Sequence, residues 1–270
     1  MQQAPVNRVK MEKIMAQKKK TKAMVVSQEK LADGIYDLRL ETELAQDAAC
    51  GQFVGVYPKD KSTLLPRPIS ICEIDKEKNQ LRLVYRVAGK GTAEFSNLKT
   101  GDSVYLLGVL GNGFSVDKAK PGTKAMLFGG GIGVPPILQL SKELSCEKQI
   151  VVGYRNAQCF LKEDFEQNGA VYVATEDGSV GTKGNVMDAV AANGLEADII
   201  YACGPMPMLR AIRQYAIEHD IPAYISLEER MACGIGACLA CVCKSKHKDS
   251  HTNVHNKRIC KEGPVFLAEE

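Results

Sequence analysis

Thiols are the residues of this chain whose spacing most directly implies chemistry. Cys233, Cys238, Cys241 and Cys243 fall within eleven positions of "ERMACGIGACLACVCK", and Cys260 follows in "RICKEGPVF". Cys233-x4-Cys238-x2-Cys241 with a distant fourth cysteine is the plant-type [2Fe–2S] spacing. A four-residue loop can wrap round one iron while its two ends supply thiolates. Gly234, Gly236 and Ala237 let the backbone come close and aim N–H groups at sulfur, which helps set a reduction potential. Cys243 lies just beyond this pattern and is the spare. A zinc site drawn from Cys238, Cys241 and the histidines at 247, 251 and 255 is the competing use. Those histidines stand in a stretch rich in Lys, Ser, Asn and Asp, which reads more simply as a solvated loop. Cysteines 50, 72, 146, 159 and 203 are scattered and read as small buried hydrophobes.

Glycine-rich turns form a second group. "FGGGIGVPP" follows an apolar strand-like run and opens a helix, where N–H groups at a helix start can cradle a pyrophosphate. It reads G-x-G-x-x-P from Gly131, with Gly133 and Pro136 at the later places. "TEDGSVGTKG" (175–184) and "CGPMPML" (203–209) also close strand-like runs, so three loops would line one edge of a sheet. "RPIS" (67–70) pairs an arginine suited to phosphate with a hydroxyl suited to a ring nitrogen. "GKGT" (89–92) offers small residues and a hydroxyl at a turn, a second phosphate cradle.

These residues need elements to hold them. The 270 residues suffice for two or three modest domains. The net charge of +3 is too weak to argue for nucleic acid or a membrane surface. No apolar run approaches the ~20 residues that span a bilayer. Residues 1–22 are basic, lack the apolar core of a secretory signal and read as a flexible extension. A cytoplasmic setting follows as the expectation, in which ten cysteines suit metal or redox use better than disulfides. From 23 to 118, six short β-rich runs separated by Gly and Asn turns predict a closed antiparallel barrel. In "QLRLVYRV", Leu81, Leu83 and Tyr85 take one face. From 119 to 227, five strands alternate with four helices, predicting a parallel sheet covered on both faces. Residues 228–270 have little periodicity and hold half the cysteines, predicting a small metal-organised module.

Together these motifs resemble the ferredoxin–NADP reductase superfamily, through its flavin-binding R-x-x-S, its nicotinamide-nucleotide G-x-G-x-x-P and its C-G-P motif. That fold is an antiparallel flavin barrel followed by an α/β nucleotide domain. "SLEERMACGIGACLACVCK", "CKEGPVF", "YRVAGKGT" and "GNGF" narrow the resemblance to the electron transfer subunits of NAD-dependent dihydroorotate dehydrogenase B, the PyrK family, over about residues 23–268. The NADH-dependent ferredoxin:NADP oxidoreductases share the layout with a tighter cysteine spacing and rank second.

The resemblance implies FAD at Arg67, Pro68, Ile69, Ser70, Val84, Tyr85, Arg86, Gly91 and Thr92. It implies NAD at Gly131, Gly133, Pro135, Asp177, Gly178, Cys203, Gly204, Pro205 and Met206. It implies [2Fe–2S] ligation by Cys233, Cys238, Cys241 and Cys260. An FMN-containing dihydroorotate dehydrogenase subunit would be the partner, in a heterotetramer of two plus two, with no protein acid or base required here. Electrons would pass from that FMN through the cluster and FAD to NAD⁺, in pyrimidine biosynthesis. Many superfamily members place Tyr where Ile69 stands, so stacking on the flavin is either absent or supplied elsewhere, with Tyr85 the candidate. Arg155 and Lys183 both offer positive charge for a ribose 2′ position, leaving NAD against NADP open from residues alone. The alternatives are an NAD(P)H-dependent reductase feeding a ferredoxin or oxygenase, and a redox sensor that retains the fold.

Overall fold

The computed structural model describes residues 18–246, 248 and 253–270. His247 and His251, and residues 1–17 of the basic extension, lie outside the described residues.

Six antiparallel strands close the first barrel: β1 (Lys19–Ala32), β2 (Ile35–Glu41), β3 (Phe53–Tyr57), β4 (Arg67–Asp75), β5 (Gln80–Arg86) and β6 (Ser103–Leu110). Their order is β1-β2-β5-β4-β3-β6, with β6 returning to pair with β1. Leu81, Leu83 and Tyr85 point into the barrel core with Leu38, Leu40 and Val56, as period-two alternation requires. Barrel pairing begins at Lys19, earlier than the expected boundary at 23, because Lys19–Lys22 join the ladder opposite Tyr105–Gly108. Three of those four side chains are exposed, so no hydrophobic alternation announces the strand. Lys20 instead sets its ammonium 4.2 Å from the Tyr57 ring centroid and 5.1 Å from that of Tyr105.

A short helix α1 (Lys90–Phe95) follows β5. The second sheet contains β7 (Lys124–Gly130), β8 (Glu147–Tyr154), β9 (Ala170–Thr175), β10 (Thr182–Lys183), β11 (Ile199–Cys203) and β12 (Ala223–Ser226), all parallel. Helix α2 (Pro135–Glu143) starts on two prolines whose missing N–H groups no helical bond needs. Helices α3 (Lys162–Glu166), α4 (Val186–Asn193) and α5 (Met206–Glu218) complete the layer. Asn185 caps α4 by accepting from the Met187 N–H (2.8 Å), and Gly194 ends it in the left-handed region at φ 58°. Residues of α2 and α3 pack with Leu127, Ile150 and Tyr201 on one face, while α4 and α5 pack with Met126, Phe128 and Ile200 on the other. The first of these clusters includes Cys50, Cys72, Val84 and Phe114 of the barrel domain, so one apolar core runs across both domains.

The final module is not separate from that sheet. A hairpin of β13 (Val242–Lys244) and β14 (Asn256–Arg258) leads to β15 (Val265–Leu267), which pairs antiparallel with β12 and covers what would be a free edge. The sheet order is β10-β9-β8-β7-β11-β12-β15. Strand order therefore reverses beside β7, and the crevice beyond its carboxyl end is where such sheets bind ligands.

Candidate functional site

Residues of β4 and β5 form one wall of a cleft between barrel and sheet. Arg67, Pro68, Ile69, Ser70, Val84, Tyr85, Arg86 and Thr92 line it, as do Phe53 and Ala88. Ile132, Ser226, Leu227, Glu228, Glu229, Met231 and Pro264 close the opposite side. The cleft has the apolar walls and the few polar anchors of a cofactor site, and these residues fit a flavin dinucleotide.

Three details differ from expectation. Gly91 is not in the cleft wall but beneath Arg67, where an added Cβ would stand 2.8 Å from the Arg67 Nε. Thr92 lines the cleft, but its hydroxyl is already engaged, accepting from the N–H groups of Ala88 (2.8 Å) and Gly89 (3.2 Å) to cap α1. Tyr85 is 2% exposed, its ring lies among Tyr36 and Phe95, and its hydroxyl donates to Gln28 Oε1 at 2.9 Å. The ring faces the barrel core because strand alternation places it with Leu83, so it is not a stacking platform for a flavin.

A second cleft opens beyond the carboxyl ends of β7, β8, β9 and β11. Gly131, Gly133, Gly204 and Pro205 line it. A Cβ at Gly133 would stand 2.4 Å from the Cys203 carbonyl oxygen, so only glycine lets this turn meet the end of β11. Pro135, Asp177, Gly178, Cys203 and Met206 are not among the lining residues. Cys203 is 1% exposed and touches the loop from beneath. Asp177 accepts from the Ser179 N–H (2.9 Å) and hydroxyl (2.6 Å), which stabilises its own turn. Glu176 lines the cleft in its place, together with Arg155, Asn185, Gly130, Gly153, Tyr154 and Met208. Arg155 and Glu176 each follow the last residue of a strand, at paired ends of β8 and β9. The carboxyl-end rule points at that position, one residue before the quoted "DG". Lys183 instead lays its stem against Gly178.

The two clefts share Arg86, Ile132 and Glu228. Glu228 exposes surface to the cleft but is otherwise enclosed by protein. That burial raises its carboxyl above the usual range, with Arg86 opposing the shift.

The thiols stand as two pairs. Cys233 Sγ accepts from the N–H groups of Cys238 (3.3 Å) and Ile235 (3.4 Å). Burial works against its charged form, but these N–H groups bring the Cys233 thiol down to about 6. Cys241 Sγ lies 3.3 Å from Cys260 Sγ, which also accepts from the Gly236 N–H at 3.2 Å. Burial, then Cys241 beside it, pushes the Cys260 thiol up to about 12. Gly234 and Gly236 take φ 68° and 78°, and a Cβ at Gly236 would stand 2.8 Å from Lys261 Cδ. Among the described residues no three potential ligands converge as a single ion would need. Two thiol pairs suit a two-iron group, with backbone N–H groups aimed at sulfur. Cys243 stands apart, its thiol donating to the Lys257 carbonyl at 3.5 Å across the β13–β14 hairpin. An apolar cluster containing Phe53, Leu107, Leu110 and Phe266 buries Cys241 and Cys260, with Met231 and Leu227 packed against it. Phe53, Met231 and Leu227 also line the first cleft.

Comparison with known proteins agrees with this layout. Residues 228–270 match the iron–sulfur cluster binding domain of dihydroorotate dehydrogenase B, and residues 127–214 match the oxidoreductase NAD-binding domain. The dihydroorotate dehydrogenase B (NAD(+)) electron transfer subunit of Lysinibacillus sphaericus is 45% identical over 250 residues, covering 91% of this chain and 95% of that one. The chain belongs to the dihydroorotate dehydrogenase B electron transfer subunit family. A subunit of the same description from Listeria monocytogenes serotype 4a is 44% identical over 93% of this chain and 98% of its own. The structure of an NADH-dependent reduced ferredoxin-NADP oxidoreductase superposes with a TM-score of 0.81 at 29% identity, covering 92% of this chain and 88% of that one. The ferredoxin reductase in carbazole 1,9a-dioxygenase shares the fold, with a TM-score of 0.64 at 21% identity over 77% and 68% of the two chains. The ferredoxin reductase-like barrel and sheet, the oxidoreductase class and the FAD, [2Fe–2S] and NAD complement stand on these findings. Family membership also implies a catalytic partner subunit. No helix among the described residues is long and apolar enough to cross a membrane.

Proposed function

We propose that this chain conducts electrons from an FMN-containing dihydroorotate dehydrogenase subunit to NAD⁺, through a [2Fe–2S] cluster at Cys233, Cys238, Cys241 and Cys260 and an FAD in the barrel cleft. The observation that carries this is continuity. The buried thiol pair adjoins the first cleft through Phe53 and Met231, and that cleft adjoins the second through Arg86, Ile132 and Glu228. A bound flavin supplies the exchange between one-electron and two-electron chemistry that joins an iron–sulfur group to a nicotinamide.

The chain's own residues position and insulate. Arg67 offers its guanidinium to a flavin phosphate. Ser70, from its place in the cleft wall, offers a hydroxyl to the flavin ring. The Gly131–Gly133 turn and the start of α5 present N–H groups to a dinucleotide pyrophosphate. Ile132, Arg86 and Glu228 wall the junction where nicotinamide and flavin rings meet. The adenosine half then falls beyond β8 and β9, placing Arg155 and Glu176 at its ribose. Glu176 there accepts from a 2′-hydroxyl and repels a 2′-phosphate. Glu176→Gln should therefore raise the use of NADP⁺ relative to NAD⁺ by about tenfold or more, since like-charge contacts cost several kcal/mol. The ratio of kcat/KM for the two nucleotides measures this.

In this reading the assembly is cytoplasmic and contains two of each subunit. Purification with the catalytic subunit tests it. The complex should hold FMN, FAD, iron and sulfide and should reduce NAD⁺ when given dihydroorotate. Co-purification with an oxygenase component, and no dihydroorotate-driven reduction, would favour the reductase alternative.

A further inference from the structure

We infer that Arg258 and Glu262 form a clamp that positions the cysteine loop and sets the potential at which the iron–sulfur group accepts an electron. This rests on the proposed ligation by the four cysteines and goes beyond it, since neither residue is a ligand. Arg258 is 8% exposed. Its Nε donates to Glu262 Oε2 (3.1 Å) and its Nη2 to Glu262 Oε1 (2.6 Å), a two-point pairing. The Arg258 N–H also donates to Glu262 Oε2 at 2.7 Å. With the fork fixed in this way, Nη1 reaches the Gly236 carbonyl at 3.0 Å. The Gly236 N–H in turn donates to Cys260 Sγ. The guanidinium therefore holds the glycine whose amide points at a thiol of the buried pair. The turn bearing Glu262 is itself tied to the barrel. Asn112 donates from Nδ2 to the carbonyls of Lys261 and Glu262, both at 3.0 Å.

Position and charge act together here. Reduction adds negative charge to a group already ringed by thiolates, in surroundings of low dielectric where nearby charges count strongly. Arg258 favours that added charge and Glu262 offsets Arg258. Removing either member should move the potential, and the two removals should move it in opposite directions. A residue that served only to stabilise the loop would not produce that sign difference.

The test is an anaerobic redox titration of the purified holoprotein followed by EPR. In Arg258→Gln the carboxylate is left without its cation and the amide loses its support. The equilibrium should shift at least about tenfold against the reduced state, roughly 59 mV for one electron. Glu262→Gln keeps the shape but removes the negative charge, and should shift the equilibrium about tenfold the other way. Arg258→Lys keeps the charge without the fork and should lie closer to wild type than Arg258→Gln. If Arg258→Gln does not load iron while keeping its flavin, the upward shift in Glu262→Gln still decides the matter. Unchanged potentials, or shifts of the same sign in Arg258→Gln and Glu262→Gln, overturn the clamp. A wild-type chain without an iron–sulfur EPR signal would instead overturn the ligation on which it rests.

Discussion

Cys238→Ser will strip the chain of its iron–sulfur absorption and leave its flavin in place. Cys238 ends the loop that begins at Cys233, and its backbone N–H donates to the Cys233 sulfur at 3.3 Å. A serine oxygen is a harder and less acidic donor, poorly matched to iron in a thiolate site. Dihydroorotate-driven NAD⁺ reduction should fall by about 100-fold or more, above the usual cost of losing an outer-shell partner of a metal. NADH oxidation by an artificial dye should persist, because in the proposed route nicotinamide meets flavin where the two clefts adjoin, away from the thiols. Cys243→Ser is the control. Its sulfur faces the Lys257 carbonyl across the β13–β14 hairpin and belongs to neither thiol pair, so it is not placed as a ligand. Iron content and visible absorption should stay at wild-type levels in Cys243→Ser. Equal loss in both variants would show that the loop tolerates no change and that the ligand assignment is wrong.

Arg82→Met should destabilise the protein strongly. Arg82 is 6% exposed and holds three carboxylates. It reaches Asp37 (2.8 Å) and Glu73 (3.2 Å) within the barrel, and Asp164 of α3 (3.1 Å) in the second domain. Lys142 of α2 closes the network on Glu73 at 2.9 Å. Without the guanidinium, Asp37 would remain buried without its ion-pair partner, and its Oδ1 already has no hydrogen-bond partner. Breaking such a pair from one side costs about 3–5 kcal/mol. Denaturant unfolding of the flavin-loaded protein should show that loss in its midpoint. Acid should remove part of the same support. Burial opposes ionisation of Glu73, but Lys142 and Arg82 outweigh it and hold the carboxyl below its ordinary range. Stability from a lowered carboxylate is complete above the unfolded-state pKa and is lost as pH falls through the folded one. Wild type should therefore weaken on acidification more steeply than Arg82→Met.

Arg82 also marks where sequence reading stops. In "QLRLVYRV" the alternation correctly sends Leu81, Leu83 and Tyr85 to one side. It assigns Arg82 and Val84 to the other, which an isolated barrel would show to water. The second domain covers that side, so a residue that reads as solvated is buried at a junction. The same limit affects Tyr85, whose aromatic ring suggests a flavin contact until alternation turns it inward. Chemistry fixed by local spacing was legible: the cysteine pattern, the glycine turn after β7, and the proline start of α2. Chemistry fixed by tertiary pairing was not. Glu176 and Glu228 acquire meaning only when separate strand ends meet at one cleft. Arg258 and Glu262 acquire it only when the loop at Gly236 folds back on them. Lys19–Lys22 escape notice because backbone pairing, not side-chain burial, recruits them to their sheet, and β15 because its 3 residues are too few to show alternation.

Anaerobic addition of NADH to the purified, cofactor-loaded chain, without any partner, tests the central claim most directly. The account predicts that flavin absorption bleaches and that a reduced iron–sulfur EPR signal develops in the same sample, because the three sites adjoin within one chain. Bleached flavin with no iron–sulfur EPR signal, in protein shown to contain iron and sulfide, would contradict it.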